Sequence, residues 1–581
     1  MTALKLQLIE SQQNTEALRE QLEAELNECT EVQATYRNKV EKFMVAARIW
    51  HIADLDYPAR EQYEAFLADE VAPVCYSIYL KGFDRIKQHS MRDSIRMMQK
   101  GKILPPPYTE QILFLPYHPY TQIAQRFSNA AKKQDLVWDF TRPAPDSMKQ
   151  QIYEILHYGI EQITTQKGIR LFLRSLQRFY DYCVSEQIED IERLEPEQIQ
   201  GFYNILDDAE KEKVPRIIRT CQKALFLQAT EIHWYANVWY MERFHFQPER
   251  LDPARPVKYL SFLEVGHKGN RKLLKQYMQY GLGITNLAIN NLRGEFLYVR
   301  NFMAWIDQSG GYDVLTSTPK QMDRFFQDLL KKHLKAASYN DQVIAIVHFF
   351  SFLLVRRYIE RIPFSEDLYL KKEIPVHHDR SVEPESAAEI LSKLHSFPEE
   401  IRLMYLHLWC LGLRISEVCT LKGNAYYRQG RDAWIQVYQT KMRTYKRIPI
   451  PDALYRLMQV YLKKYQIKPE DYVFQNSNGG AYRSGTFRKK MLDCCEENHI
   501  QKGEYIFKSH DYRHTVATCF YEEGVSIQGV RDYLGHMYEE MTLQYLDYMP
   551  KKIDQANEEY FSQHKSLAAG LLKKGGEKRG K

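Results

Sequence analysis

Four residues that together can break a phosphodiester bond without a metal ion lie in one stretch of the chain. The stretch, residues 509–548, has the sequence SHDYRHTVATCFYEEGVSIQGVRDYLGHMYEEMTLQYLDY. His510 and Arg513 are three positions apart, and on a helix that spacing puts both side chains on one face. An imidazole and a guanidinium placed in this way can converge on a single phosphate, which indicates chemistry on a phosphodiester.

The other two residues follow in the same stretch. A short helix is expected from about Ile527 to Leu534, with Gly535 as the residue that ends it. His536 comes directly after that end, and Tyr545 lies nine residues later in a segment that favours a further helix. The helices of this stretch must therefore pack on a common core for the four side chains to meet.

The motifs HDYRHT, LGH and TLQY, in this order, resemble the C-terminal half of the catalytic domain of the tyrosine recombinases, the phage-integrase family. In that family the nucleophilic tyrosine stands nine residues after the histidine of LGH, and this spacing selects Tyr545. The resemblance leaves Tyr533, Tyr538 and Tyr548 as bystanders.

The same resemblance predicts two motifs upstream. The first arginine of the family lies in a TGLRISEL-like segment, and CLGLRISEVCTLKG in this chain places Arg414 there, with Glu417 three residues on. The lysine of the family lies in a β-hairpin turn, ahead of a basic strand that ends in proline. Here WIQVYQTKMRTYKRIPIP alternates as strands do, and counting back eight residues from Pro449 gives Lys441.

The residue types suit phosphodiester chemistry. Arg414 and Arg513 can stabilise charge on the nonbridging oxygens, because guanidiniums stay charged and bind phosphate oxygens bidentately. Tyr545 can serve as the nucleophile. A phenol with a pKa of about 10 needs a nearby base and a positive field to attack at neutral pH, and His510 is the candidate base.

The remaining roles follow from the resemblance. Lys441 is expected to be the acid that protonates the departing 5′ oxygen, His536 to hydrogen-bond the phosphate, and Glu417 to support a catalytic side chain. A covalent phosphotyrosine stores the energy of the broken bond. Rejoining to a different strand then needs no ATP, no metal and no other cofactor.

Other kinds of site fit the residues less well. His510 and His514, with Cys519 nearby, suggest zinc, but no CxxC or HExxH motif accompanies them, so no metal site is predicted. A metal-dependent nuclease needs clustered Asp and Glu, a signature that the sequence lacks. A catalytically silent DNA-binding protein of the same fold is a further alternative, and the presence of all six site residues argues against it.

Length and composition predict a soluble chain of several domains. The 581 residues are too many for one core and predict three or four domains. The net charge of +6 is mild, so contact with DNA must come from local faces. The 9 cysteines are scattered, and no signal peptide or long apolar run is found. We therefore expect a cytoplasmic, nucleoid-associated protein that does not span a membrane.

The middle of the chain contains an internal repeat. RFYDYC and EPEQIQGFYNIL, within residues 178–206, align with NFMAWI and TPKQMDRFFQDLL, within residues 301–330, at an offset of 123 residues. Both copies predict an all-helical module with a central helix that starts at a proline. The second copy precedes the catalytic region, where the family carries its helical core-binding domain.

The predicted fold class is mainly α, with helical N-terminal and core-binding domains and an α+β catalytic domain that contains a small β-hairpin or sheet. The predicted domains are a helical accessory region at 1–145, core-binding-like repeats at 146–262 and 263–370, a linker at 371–383, the catalytic domain at 384–561 and a basic tail at 562–581.

Both ends of the chain carry apolar residues that need a partner. Residues 1 to about 50 predict a helix, whose stripe of Leu18, Leu22, Leu26 and Cys29 docks on the rest of the chain or mediates weak self-association. The segment from about residue 562 to residue 572 is expected to pack on a neighbouring subunit, and a frayed, solvated end is the alternative.

The second copy also contains candidate contacts with DNA phosphates, for which a solvated charged face is the competing interpretation. These basic residues are Lys331, Lys332, Lys335, Arg356 and Arg357. The expected partners are double-stranded DNA, further copies of the chain in a dimer or tetramer on DNA, and companion recombinases or element-encoded factors. A membrane is not among them.

Together these features predict a site-specific recombinase or transposase that cleaves and rejoins DNA through a 3′-phosphotyrosine, for integration or excision of a mobile element. A chromosome or telomere resolvase with the same chemistry is the alternative.

Overall fold

The computed structural model describes residues 2–100, 111–117, 133–207, 216–373, 381–440 and 442–535. This part of the chain is mainly helical and contains three small antiparallel sheets, which confirms the predicted fold class. The chain divides into two compact units. One comprises residues 1–243 and 259–264, and the other comprises residues 244–258 and 265–581.

The first unit begins with five helices. They are α1 (Thr2–Glu28), α2 (Ala34–Ala47), α3 (Tyr57–Glu70), α4 (Tyr76–Ser90) and α5 (Arg92–Gln99). The single helix predicted for residues 1–50 is wrong, because the chain turns between α1 and α2 and buries Cys29 and Val32 in that turn. No glycine or proline marks this break. Leu22 and Leu26 lie in the same core, so the apolar stripe docks on its own unit.

The first copy of the repeat occupies the rest of this unit. Strands β1 (Ile112–Phe114) and β2 (Val137–Asp139) pair ahead of it. Its helices are α6 (Asp146–Gln162), α7 (Gln166–Ser185), α8 (Pro196–Asn204) and α9 (Ile217–Gln228). Strands β3 (Val238–Tyr240) and β4 (Tyr259–Ser261) pair after it.

The second copy lies in the second unit and has the same order of helices. They are α10 (Lys268–Gly283), α11 (Ile289–Gln308), α12 (Pro319–Leu330) and α13 (Ala336–Val355). α11 and α12 begin 123 residues after α7 and α8. The packing recurs as well, because Phe179 meets Phe202 edge to face at 5.2 Å and Phe302 meets Phe325 edge to face at 4.8 Å.

The C-terminal part of the second unit combines helices with a three-stranded sheet. The helices are α14 (Pro384–Lys393), α15 (Glu399–Leu411), α16 (Ile415–Cys419), α17 (Asp452–Lys464), α18 (Ser484–Glu497), α19 (Ser509–Glu522) and α20 (Ile527–Leu534). The strands are β5 (Tyr426–Gln429), β6 (Asp432–Gln439) and β7 (Thr444–Pro449), in that order. β6 and β7 form the predicted hairpin, whereas β5 was not predicted.

Helix α13 is long and apolar enough to cross a membrane by length and composition alone, and no other helix in the described residues meets that test. One such helix is weak evidence, because the core helices of soluble proteins have the same properties. Nine residues of α13 are buried. They include Phe349, which meets Tyr277 of α10 edge to face at 5.4 Å.

A buried histidine should make this part of the chain sensitive to acid. His407 of α15 is fully buried between the Leu403 carbonyl oxygen, 2.6 Å from Nδ1, and the Tyr426 hydroxyl, 2.7 Å from Nε2. Burial lowers the pKa of His407 to about 4, against the opposing effect of the hydrogen bond with Leu403. At a pH between about 4 and 6.5, the ordinary pKa of histidine, His407 therefore binds a proton more readily in the unfolded chain than in the folded chain.

The contribution of His407 to stability should be complete above about pH 6.5 and lost as the pH falls towards 4. We expect wild-type protein to lose about 2 kcal/mol more than His407→Gln between roughly pH 7 and pH 5, measured by denaturant unfolding. His395→Gln, which removes an exposed histidine of the same region, is the control. Equal pH slopes for wild type and His407→Gln would contradict this account.

Candidate active site

The turn after α15 sets the position of Arg414. α15 ends at Gly412, whose φ of 58° lies in the left-handed region that glycine adopts without strain. An added Cβ there would lie 3.1 Å from Val516 Cβ and 3.5 Å from Arg513 Cα, so glycine also permits the close approach of α19. Arg414 follows at the start of α16, with a side chain that is 18% exposed.

Arg513 joins the ends of two other helices. Its side chain is almost completely buried, and its Nη1 donates to the Gly412 carbonyl oxygen at 2.9 Å. Its Nη2 donates to the Leu534 carbonyl oxygen, at the end of α20, at 2.5 Å. His510 lies about one turn earlier in α19 and is exposed, with its ring 4.8 Å from the ring of His514. Of the predicted His–Arg pair, Arg513 is therefore buried and His510 is exposed to solvent.

Glu417 lies at the centre of the candidate site and is 2% exposed. Its Oε2 accepts from the Arg414 backbone N–H at 2.9 Å, and its Oε1 accepts from Arg414 Nη1 at 2.9 Å. Burial raises the pKa of Glu417, but the positive charges of Lys446, Arg513 and Arg414 outweigh burial and hold the pKa below its usual value. Glu417 is therefore an anion at neutral pH and fixes the direction of the Arg414 side chain.

Lys446 and Gln439 belong to this cluster and were missed by the sequence analysis. β6 buries Ile435 and Val437, and β7 buries Ile448. Because side chains of a strand alternate between its two faces, Gln439 and Lys446 continue these inward rows two positions further along. Strand alternation in WIQVYQ and YKRIPI was therefore the signal that could have identified both residues.

Three of the six predicted catalytic residues, Lys441, His536 and Tyr545, lie outside the described residues, as does the tail at 562–581. Their roles stay predictions. The described part ends at Gly535, where φ is 67° and α20 stops, which confirms the predicted end of that helix. The structure thus describes Arg414, Glu417, His510 and Arg513 from the predicted set.

The basic residues predicted to contact DNA do not form one patch. Lys335 precedes α13 and Arg356 follows it, so the 20-residue helix separates them by roughly 30 Å. Lys331 pairs with Asp328 at 2.7 Å, and the Arg356 guanidinium lies 5.5 Å from the centre of the Tyr280 ring. The others are exposed as well, Lys332 before the start of α13 and Arg357 after its end.

Residues 380–551 match the sequence profile of the phage integrase family, and this segment contains all six predicted catalytic positions. This segment is therefore similar to the phage integrase family, the family of the tyrosine recombinases. The predicted family resemblance is thus confirmed for the C-terminal part of the chain. Arg414, Glu417 and Arg513, the predicted residues that the structure brings together, all lie inside the matched segment.

Named relatives of this domain act in recombination or transposition according to their names. The chain is 26% identical over 325 residues to transposase B from transposon Tn554 of Staphylococcus aureus, which covers 54% of this chain and 51% of the transposase. It is 25% identical over 281 residues to tyrosine recombinase XerD of Chlorobaculum tepidum, and this match covers 46% of this chain and 88% of XerD. The chain therefore spans about half of the length of the transposase.

Solved structures of recombinases also match, with low identity. The XerH recombinase bound to a palindromic difH substrate is 16% identical with a TM-score of 0.39, covering 51% of this chain and 86% of XerH. The Tn1549 transposon integrase in complex with transposon right end DNA is 17% identical with a TM-score of 0.37, and the match covers 49% of this chain and 98% of the integrase chain. The similarity to the phage integrase family rests on the sequence match over residues 380–551 and not on these structures.

Proposed function

We propose that this protein is a site-specific DNA recombinase or transposase that cleaves and rejoins DNA through a 3′-phosphotyrosine at Tyr545. The observation that carries the proposal is the cluster of Arg414 and Arg513 around the buried carboxylate of Glu417, inside a phage integrase domain. Two guanidiniums held in fixed positions are suited to the charge that develops on a phosphate under attack.

The proposed reaction conserves the energy of the phosphodiester bond in a covalent phosphotyrosine. The phenol oxygen of Tyr545 attacks the phosphorus, the bond to the 5′ oxygen breaks, and Lys441 protonates that oxygen. His510 accepts the phenol proton, and His536 donates a hydrogen bond to the phosphate. Attack by a 5′ hydroxyl from another strand then reverses the sequence of steps and releases Tyr545. The step needs no metal ion.

The test uses the full chain and DNA from the flanks of its own gene, cut to give nicked suicide substrates. We expect a protein–DNA adduct that survives detergent, forms in the presence of EDTA and disappears after protease treatment. Cleavage that depends on a divalent cation, or cut ends without attached protein, would instead support a nuclease. An adduct followed by hairpin ends would support a telomere resolvase.

The proposed partners are double-stranded DNA and further copies of this chain on two recombining duplexes, in a nucleoid-associated cytoplasmic location. The relatives whose names include a transposon favour a mobile element as the source of the DNA ends. Recovery of joined element ends in cells that express the gene is the corresponding genetic observation.

We also propose that the first repeat copy binds DNA along α7. Lys167, Arg170, Arg174 and Arg178 are exposed there and recur every three or four residues, which places them along one side of the helix. They extend over roughly 16 Å of helix, enough to follow several phosphates of a DNA strand. In α11, the equivalent helix of the second copy, only the position of Arg170 is basic.

Changing Arg170, Arg174 and Arg178 together to Gln should weaken DNA binding and flatten its dependence on salt, by about one unit of slope for each phosphate that is no longer neutralised. Cleavage of a nicked substrate at saturating protein should persist. The binding isotherm at several salt concentrations measures both effects.

The control is a triple Gln variant at Lys39, Arg92 and Arg193, which removes the same charge from three positions of the same unit that do not share a helix. This variant should change the salt slope by less than the α7 variant. Equal slopes for the two variants would mean that α7 contacts no DNA.

A further inference from the structure

Two polar side chains project from the sheet into the interior of the catalytic domain. Gln439, the last residue of β6, is 3% exposed, and Lys446 of β7 is 7% exposed. Burial of an ammonium group is costly unless a partner compensates for the lost water. The contacts of Gln439 and Lys446 must therefore compensate for the cost of burying these polar groups.

Their contacts join three segments of the chain. Lys446 Nζ lies 3.2 Å from Glu417 Oε2 and donates to the Leu534 carbonyl oxygen at 3.4 Å. Gln439 Nε2 lies 3.4 Å from Glu417 Oε1 and donates to the Gly535 carbonyl oxygen at 3.2 Å. The sheet, the start of α16 and the end of α20 thus meet at one carboxylate and two backbone carbonyl groups.

The end of α20 is fitted closely to Gln439. A Cβ built on Gly535 would lie 2.2 Å from Gln439 Nε2, and the positive φ of Gly535 also favours glycine. Gly535 is the residue directly before His536 in the sequence. The hydrogen bonds from Gln439, Lys446 and Arg513 therefore fix the backbone at the point where the chain enters its next predicted catalytic residue.

Lys446 also contributes to the net charge of the cluster. Glu417 faces three cations, Lys446, Arg513 and Arg414, which leaves two positive charges in the cluster. Burial lowers the pKa of Lys446, and the Glu417 carboxylate acts in the opposite direction. The ion pair with Glu417, 3.2 Å from Lys446 Nζ, stabilises the charged ammonium group. Two positive charges match a phosphodiester that carries one negative charge and gains a second as a phenolate attacks it.

We propose that Lys446 is a positioning residue of the recombination site, which neutralises Glu417 so that the positive charges of Arg414 and Arg513 act on the scissile phosphate, and which with Gln439 holds the end of α20. The inference rests on the proposed function. Lys446 does not touch the substrate, and the proton for the leaving oxygen comes from Lys441.

The test compares Lys446→Met, which removes the charge and keeps the length, with Lys446→Arg, which keeps the charge. In single-turnover cleavage at saturating DNA, Lys446→Met should be slower by about ten- to a hundredfold with an unchanged Kd for DNA. Lys446→Arg should recover most of that loss. A purely structural role would lower DNA affinity and thermal stability together and would show no recovery by Arg.

A substrate whose 5′ leaving oxygen is replaced by sulfur separates the two lysines. Lys441→Ala should be rescued by the sulfur substrate, because a thiolate leaves without an acid, whereas Lys446→Met should stay slow on it. Rescue of Lys446→Met would make Lys446 the acid and overturn the proposal, and so would a wild-type rate for Lys446→Met on the ordinary substrate. Failure of wild-type protein to form any adduct would refute the proposed function itself.

A double variant keeps the proposal testable if Lys446→Met folds poorly. Lys446→Met combined with Glu417→Gln restores two net positive charges and retains an amide oxygen that can accept from the Arg414 N–H. The double variant should cleave faster than Lys446→Met alone. A double variant whose losses simply add would show that Lys446 does not act through Glu417.

Discussion

Replacing Tyr545 with phenylalanine should abolish covalent attachment of the protein to DNA and leave DNA binding nearly unchanged. The substitution removes one oxygen atom, the proposed nucleophile, and keeps the aromatic ring. No other group in the proposed reaction can form the phosphotyrosine, so the loss should extend to the detection limit. The measurement is adduct formation on a nicked suicide substrate, together with the Kd for the same DNA.

Tyr548→Phe is the matched control, since it removes the same oxygen three residues further on and should retain activity. An adduct formed by Tyr545→Phe at the wild-type rate would show that another residue is the nucleophile. Peptide mapping of the adduct would then identify that residue.

Replacing Arg513 with lysine should slow cleavage by roughly a hundredfold or more, the size expected when a fixed charge stabiliser is lost. Lysine keeps the positive charge but cannot make the two hydrogen bonds that Arg513 directs to the Gly412 and Leu534 carbonyl oxygens. The rate at saturating DNA should therefore fall much more than the affinity for DNA.

Arg531→Lys is the control for this change, because Arg531 lies on the neighbouring helix α20 and pairs with Asp532 on the surface. It should cleave at nearly the wild-type rate. Thermal unfolding of both variants separates an effect on chemistry from an effect on folding. Normal stability together with normal cleavage in the Arg513→Lys variant would remove Arg513 from the catalytic set.

Local signals in the sequence were sufficient for many of the helices. The limits of α20 follow from the apolar spacing and the glycine at its end, and the predicted Ile527–Leu534 is the helix observed. The repeat was visible as an offset of 123 residues, and the observed helices recur at that offset. Such features depend on neighbours within a few residues, and a sequence displays them directly.

The break between α1 and α2 and the third strand β5 were not predicted. The break has no glycine or proline, and it forms because Cys29 and Val32 gain burial against helices that come later in the chain. β5 is a short strand that gains its hydrogen bonds only by pairing with β6. Both depend on partners that local sequence patterns do not contain.

The sequence by itself determined the order and spacing of the catalytic motifs, because those motifs are local, and it placed Glu417 three residues after Arg414. Only the tertiary structure decided what Glu417 contacts. Lys446 and Gln439 come from the sheet and Arg513 from α19, and they meet because the core buries the ends of α15, α16 and α20 together. A charge cluster buried between distant segments is a property of packing, and no single segment of the sequence encodes it.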